Sequence, residues 1–310
     1  MKIGILLIGQ VRNFDITVNF LKKEFDIPGV EVDYFCHTWD AVANFSPWNN
    51  MKTTDERFSD LKMHDKDELI ETINLCNVKK YEIESYSNLE NIFDDVYHPE
   101  FNLEKNVVHD HYAHEGWKAF DKDSKLMYSD WTYFFSLLGQ FYSTRKALDM
   151  LCEYERETGE KYDVIIRWRY DLISDTTLRR VSERMRQWCE LPLEYEHGNT
   201  IFFNCLNIWN GMHCSGDHYW YGAAGAFKSY TTNFDSKYLN VVRSKIVSDD
   251  SVLNENIMQD IIINQRMSSE ETPIRLAIVR PGATHDMSFE EVYQLELKHE
   301  EQKRKLARNI

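Results

Sequence analysis

The sequence predicts an α/β fold, a mixed, mainly parallel sheet covered by helices. Three observations predict it. Short and almost wholly apolar runs, "KIGILLI" (2–8) and "VII" (164–166) among them, read as strands covered on both faces, as in a parallel sheet. A long stretch from about Asp130 to Glu157 carries helical periodicity through Trp131, Phe134, Phe135, Leu138, Phe141, Tyr142, Leu148 and Cys152. Strand and helix patterns alternate through residue 171, and such alternation builds a parallel sheet with covering helices.

The elements follow in order. Lys2–Ile8 is the first strand, followed by the turn "GQVRN" and a helix over Ile16–Phe25 that ends before "IPG". Val30–Cys36 is a second strand, closing on "HTWD". Residues 41–64, polar and aromatic, read as a long loop, and Asp65–Cys76 as a helix. "VKKYEIES" is a third strand, and 85–128 is an insertion of weak periodicity. The long helix stops at Gly159, a natural helix end. The strand Val164–Arg169 comes next. Beyond it the pattern predicts a helix near Thr177–Trp188, strands near Ile201 and Tyr219, and a helix over Ser251–Met267. A strand at Ile274–Val279 and a charged helix from Phe289 complete the chain.

Composition bounds the function. With 310 residues, 43% hydrophobic and 14% aromatic, the chain buries a large core. A formal net charge of -15 argues against nucleic acid, whose phosphates call for a basic surface. The six cysteines are scattered with no C-x-x-C pair, so neither a zinc site nor a disulfide framework is indicated, which fits a reducing cytosol. The apolar run at the N-terminus is too short to span a bilayer and reads as a strand. The expectation is a cytoplasmic protein without a transmembrane segment.

The chemistry gathers at strand ends. In "YDVIIRWRYD" (162–171), Arg167, Arg169 and Asp171 alternate and so share one face of a strand. Two guanidinium groups side by side call for an anion between them. Ligands of parallel sheets bind beyond the carboxyl ends of the strands, so Gly9–Arg12, His37–Asp40 and Arg167–Asp171 are expected to line one crevice. Arg12, Arg167 and Arg169 suit a diphosphate, since guanidinium forks match phosphate oxygens. The competing reading is a structural network with some of the 51 acidic residues. Arg145, on the apolar face of the long helix, reads as a buried structural partner.

"KIGILLIGQVRNF", "VDYFCHTWD", "GQFYSTRKAL" and "YDVIIRWRYDL", in this order, resemble a family of glycosyltransferases found in bacterial polysaccharide loci, phages and large DNA viruses. "GDHYWYGAAGAF" and "NENIMQDIIINQ" extend the resemblance more weakly. It implies a single GT-A-like (Rossmann-like) domain over 1–310, with a nucleotide-sugar-binding half (1–175), an acceptor-side half (176–288) and a C-terminal helix (289–310). The implied activity is transfer of a sugar from a UDP-, GDP- or dTDP-linked donor to a glycan or other hydroxyl acceptor. Gly9, Gln10 and Arg12 would then approach the nucleotide, and Trp39 and Asp40 its base and ribose. Asp171 falls where the acidic D-x-D motif of such enzymes lies, but Arg169 replaces its first aspartate. If Mn²⁺ or Mg²⁺ is used, Asp171 and His285 are the implied ligands; otherwise the arginines carry the charge alone.

Other stretches keep two readings. Asp217 and the aromatics of "GDHYWYGAAGAF" suit a catalytic, sugar-stacking wall or a plain aromatic strand. Glu255 is a candidate base for the acceptor hydroxyl, or an acid favoured by a helix N-terminus. His109, His111 and His114 lie in the insertion and read as acceptor loop or surface. Two alternatives to a transferase stand: a sugar-phosphate nucleotidyltransferase, though "IGQVRNFDIT" lacks its glycine-rich loop and lysine, and a non-catalytic nucleotide- or glycan-binding protein.

Overall fold

The computed structural model describes residues 1–43, 61–85, 131–174, 187, 189–194, 197–203, 206–209, 212–215, 219–234, 237–238, 240–241, 244, 254–271, 276–279, 283–284 and 287–308. Its elements in chain order are β1 (Lys2–Ile8), α1 (Phe14–Glu24), β2 (Glu31–Trp39), β3 (Ala41–Ala43), β4 (Leu61–Met63), α2 (Lys66–Ile73), β5 (Val78–Glu84) and α3 (Trp131–Thr158). Then follow β6 (Val164–Arg169), β7 (Leu172–Ser174), β8 (Thr200–Phe203), β9 (Leu206–Trp209), β10 (Met212–Ser215), β11 (Trp220–Ala223) and α4 (Ala224–Thr231). The chain continues with α5 (Asn254–Asn264), β12 (Ser268–Glu271), β13 (Leu276–Ile278) and α6 (Phe289–Arg308).

One sheet of seven strands, in the order β12-β8-β11-β6-β1-β2-β5, organises the molecule. β1 runs parallel to β2 and β6, β5 parallel to β2, and β12 parallel to β8. Only β11 opposes its neighbours within this sheet. This is the mixed, mainly parallel sheet predicted above.

Alternation along β1 explains the layers. Ile3, Ile5 and Leu7 pack with Phe14, Val18 and Leu21 of α1 and with Leu69 and Ile73 of α2. Leu6 and Ile8 face the other way, in the core that includes Phe141, Leu148 and Leu151 of α3. Gly4 belongs to the α3 side, where a β-carbon would come within 2.5 Å of Leu151 Cδ1. A side chain there would have to displace the Leu151 methyl and crowd the Tyr162 ring. α3 itself ends at Gly159, with φ 76° and an N–H that bonds Glu155 O, as its sequence predicted.

Several boundaries moved. β2 runs on through "HTW", so these residues are strand rather than turn. β3 and β4 pair antiparallel within the stretch read as a long loop. Asp65 is the N-cap of α2, its carboxylate accepting from the N–H of Asp67 at 2.8 Å. The helix predicted near Thr177–Trp188 and the insertion at 85–128, with its three histidines, fall almost wholly outside the described residues. α6 begins with a reciprocal cap: Ser288 N–H donates to Glu291 Oε2 at 2.7 Å and Glu291 N–H to Ser288 Oγ at 3.4 Å. Phe289 and Val292 then close a small core with Ile16, Ile173, Ala277 and Val279. Among the described residues no helix is long and apolar enough to cross a membrane.

Candidate functional site

The register brings three strand ends together. Ile8 of β1 lies between His37 of β2 and Arg169 of β6, and all three strands point the same way. Gly9 follows with φ 97°, a left-handed conformation that strains any residue with a β-carbon. Its carbonyl accepts from Thr38 Oγ1 at 2.8 Å, joining the ends of β1 and β2. The chain then turns tightly, Arg12 N–H bonding Gln10 O at 2.9 Å.

Asn13 fastens this turn to the other side. It adopts φ 51° and does not cap α1 with its side chain. Instead its Nδ2 donates to Val279 O at 3.0 Å, while Val279 N–H donates to Asp171 O at 2.8 Å. Thr17 Oγ1 donates to Tyr170 O, and Phe14 meets the Tyr170 ring edge-on. The Gly9–Asn13 turn and the Tyr170–Asp171 strand end are therefore held against one another by β13 and α1.

The two strand arginines part company. Arg167 is 0% exposed. Its guanidinium stacks 4.0 Å from the Trp220 ring centroid, and Nη2 donates to Gln140 Oε1 of α3 at 2.8 Å. Arg169, at the strand end, forms a two-pronged pair with Asp171: Nε to Oδ1 at 3.0 Å and Nη2 to Oδ2 at 2.9 Å. The side-by-side pair expected around one anion is thus resolved into a buried arginine behind and a carboxylate-paired arginine in front. Arg145 is an i,i+4 partner of Asp149 at 3.0 Å and lies over the Tyr142 ring; it is partly exposed, not buried.

Other expected site residues spread more widely. Trp39 is 3% exposed and stacks on Tyr142, with ring centroids 6.0 Å apart. Its ring packs into the core beside α3. Asp40 is buried at the same edge, its N–H on Glu84 O at 2.9 Å and its carbonyl accepting from His64 N–H at 2.8 Å. Tyr219, Trp220 and Tyr221 are all buried, so the aromatic-strand reading holds and the sugar-stacking one does not. Asp217 and His285 lie outside the described residues, as does the side chain of Glu255, which sits at the start of α5.

One cluster escaped sequence reading. His37 pairs with Glu82 in the β2–β5 register, and Glu84 follows on the same face. Lys146 Nζ lies 2.9 Å from both Glu82 Oε1 and Glu84 Oε1, and Tyr142 OH donates to Glu84 Oε1 at 2.9 Å. Burial raises the Glu84 carboxyl, but His37, Lys146 and Tyr142 outweigh it and hold it at about 2. Burial and the same carboxylate push the Tyr142 hydroxyl up to about 12. The signal was in the sequence: two acids at alternate positions of "YEIE", and Tyr142 and Lys146 one helical turn apart.

The implied metal does not fit Asp171 as the structure holds it. Both carboxylate oxygens already accept from Arg169, which neutralises the charge a cation would need.

No protein-family model matches the chain, and no curated protein matches it. Among solved structures it is similar to one described as a glucose-1-phosphate thymidylyltransferase from Bacillus anthracis in complex with sucrose. That likeness has 9% identity and a TM-score of 0.33, over 100% of this chain and 96% of the other. A second is the nucleoside-diphosphate-sugar pyrophosphorylase from Vibrio cholerae RC9, at 9% identity and a TM-score of 0.34, over 87% of this chain and 91% of that one. Likenesses this distant carry no argument about chemistry, which is read from the chain's own residues.

Proposed function

We propose that the protein is a glycosyltransferase that moves a sugar from a nucleoside diphosphate donor, UDP-, GDP- or dTDP-linked, to a glycan or other hydroxyl acceptor. The observation that carries this reading is the meeting of the Gly9–Asn13 turn and the Arg169–Asp171 pair at one end of three parallel strands. That end is where open α/β sheets receive their ligands. Gly9 and Gln10 lie against the nucleotide, and Asp40 holds its ribose. Arg12 and Arg169 face the diphosphate. Arg167 and Trp39 act from behind, holding the strand ends in place rather than touching the donor.

In the reaction the bond between the anomeric carbon and the diphosphate oxygen breaks as the acceptor oxygen bonds that carbon. The acceptor proton passes to a carboxylate, for which Glu255 and Asp217 are the candidates. The guanidinium groups neutralise the charge that develops on the departing diphosphate. Arg169 reaches it by exchanging one oxyanion, Asp171, for another. Residues 1–175 serve the donor, 176–288 the acceptor, and the helix from 289 closes the unit.

The test is thermal unfolding against UDP-, GDP-, dTDP- and CMP-sugars, followed by assay of sugar transfer. A donor at a hundred times its Kd adds about 2.7 kcal/mol to stability. No stabilisation by any nucleotide sugar overturns the reading. Binding without transfer leaves a non-catalytic binding protein. Synthesis of a nucleotide sugar from sugar phosphate and nucleoside triphosphate marks a nucleotidyltransferase.

A further inference from the structure

His37 is buried completely, and neither ring nitrogen makes a hydrogen bond. Its closest polar contact is Nε2 to Glu84 Oε1 at 3.5 Å. A buried imidazole with both nitrogens unsatisfied is uncommon, and an ion or water at the site is one ordinary explanation. Trp39 and Tyr142 fix the ring, meeting it edge-on with centroids 5.3 Å and 5.7 Å away. One ligand atom each from His37, Glu82 and Glu84 can be chosen so that all lie within 4.8 Å of one another.

We propose that His37, Glu82 and Glu84 form a binding site for a divalent first-row metal ion, Zn²⁺ or Mn²⁺, in which Lys146 is the resident cation when no metal is bound. One imidazole and two carboxylates are ordinary ligands for such ions. Drawing them to coordination distance takes about 1 Å of side-chain movement. Glu82, the more exposed carboxylate, is free to make it.

Charge favours the exchange. A bound metal takes the imidazole in its neutral form, and a divalent ion in place of the ammonium balances the two carboxylates. Lys146 has somewhere to go, since its side chain is 25% exposed on the surface of α3. The ion would brace β2, β5 and the Asp40 turn, whose N–H rests on Glu84 O. It would take no part in bond making, and the proposal needs no nucleotide, so it stands or falls separately from the transferase reading.

The experiment titrates the metal-stripped full-length protein with Zn²⁺ against a chromophoric chelator, and with Mn²⁺ by electron paramagnetic resonance. One saturable ion per chain is expected. Glu82→Gln, a partly exposed change that leaves the fold intact, and His37→Asn each weaken it by about tenfold or more. Lys146→Gln removes the competing ammonium and tightens it by about tenfold. The proposal is overturned if neither the wild type nor Lys146→Gln binds an ion saturably. It is equally overturned if binding survives Glu82→Gln but is lost in Asp171→Asn, which would put the ion in the donor crevice.

Discussion

Arg169 and Asp171, two residues apart on the same strand end, close on each other through two parallel hydrogen bonds of 3.0 Å and 2.9 Å. Such a pair holds the guanidinium fork in one plane, with both prongs on a single carboxylate. The exchange of Asp171 for phosphate oxygens is the central step of donor binding proposed above. Arg169→Ala should therefore lower UDP or GDP affinity by about 1.5–3 kcal/mol, more than tenfold. Arg169→Lys should recover only part of it, because a point charge replaces a fork. Calorimetry on variants with wild-type circular dichroism decides; unchanged affinity in Arg169→Ala would leave a purely structural ion pair.

Arg167 should behave differently. Its loss removes a fully buried side chain, a guanidinium–indole stack and the partner of Gln140. Arg167→Ala should cost about 3 kcal/mol of stability. Denaturant unfolding measures this. The nucleotide affinity of the folded fraction should fall far less than in Arg169→Ala; an equal fall would put Arg167 back in contact with the donor.

Metal removal separates the two proposed charge carriers in the crevice. With the arginines carrying the charge of the diphosphate, excess EDTA should leave nucleoside diphosphate affinity unchanged. The comparison is calorimetry in EDTA and in Mn²⁺, for the wild type, Asp171→Asn and His285→Ala. Tightening by Mn²⁺ that both substitutions abolish would restore Asp171 and His285 as metal ligands.

Glu24 gives the fold a pH dependence. The side chain is fully buried, with Oε1 accepting from Ser174 N–H at 3.0 Å and Oε2 without a hydrogen bond. Burial, only partly offset by Ser174, raises its pKa from 4.5 to about 7. The unfolded chain ionises this carboxyl first, so stability falls as pH rises from about 4.5 through about 7, then levels. The total is about 3 kcal/mol. Glu24→Gln keeps an acceptor for Ser174 and removes the ionisation, so it should stabilise the protein at pH 8 and make little difference at pH 4.5. Urea unfolding at both values tests it; parallel losses in the two proteins would show that Glu24 is not the titrating group.

Much of the sheet was legible because β1, β2 and β6 announce themselves by composition, and their common direction follows from the helices between them. The meeting of the three strand ends was legible for the same reason. What the sequence withheld was cover. Arg167 and Arg169 look equivalent in "RWR", but Trp220 of β11 and Gln140 of α3 lie against the first, while the second turns to Asp171. That difference is decided by Gln140 and Trp220, both distant along the chain. The aromatics at 219–221 likewise read as wall or core until the burial of β11 chose core. Nothing local in "YEIE" reveals that Tyr142 and Lys146 of α3 meet Glu82 and Glu84.

The double attachment of Val279 sets the order in which this molecule becomes competent during synthesis. Its carbonyl holds Asn13 and its amide holds Asp171, so both of these strand ends wait on a residue made well after either. A nascent chain can pair β1, β2, β5 and β6 while Asn13 and Asp171 still lack that tie. Ribosome-bound chains stalled before Leu276 should therefore hold a formed sheet with a slack join between the Asn13 turn and Asp171, which should draw taut only once Val279 has cleared the exit tunnel.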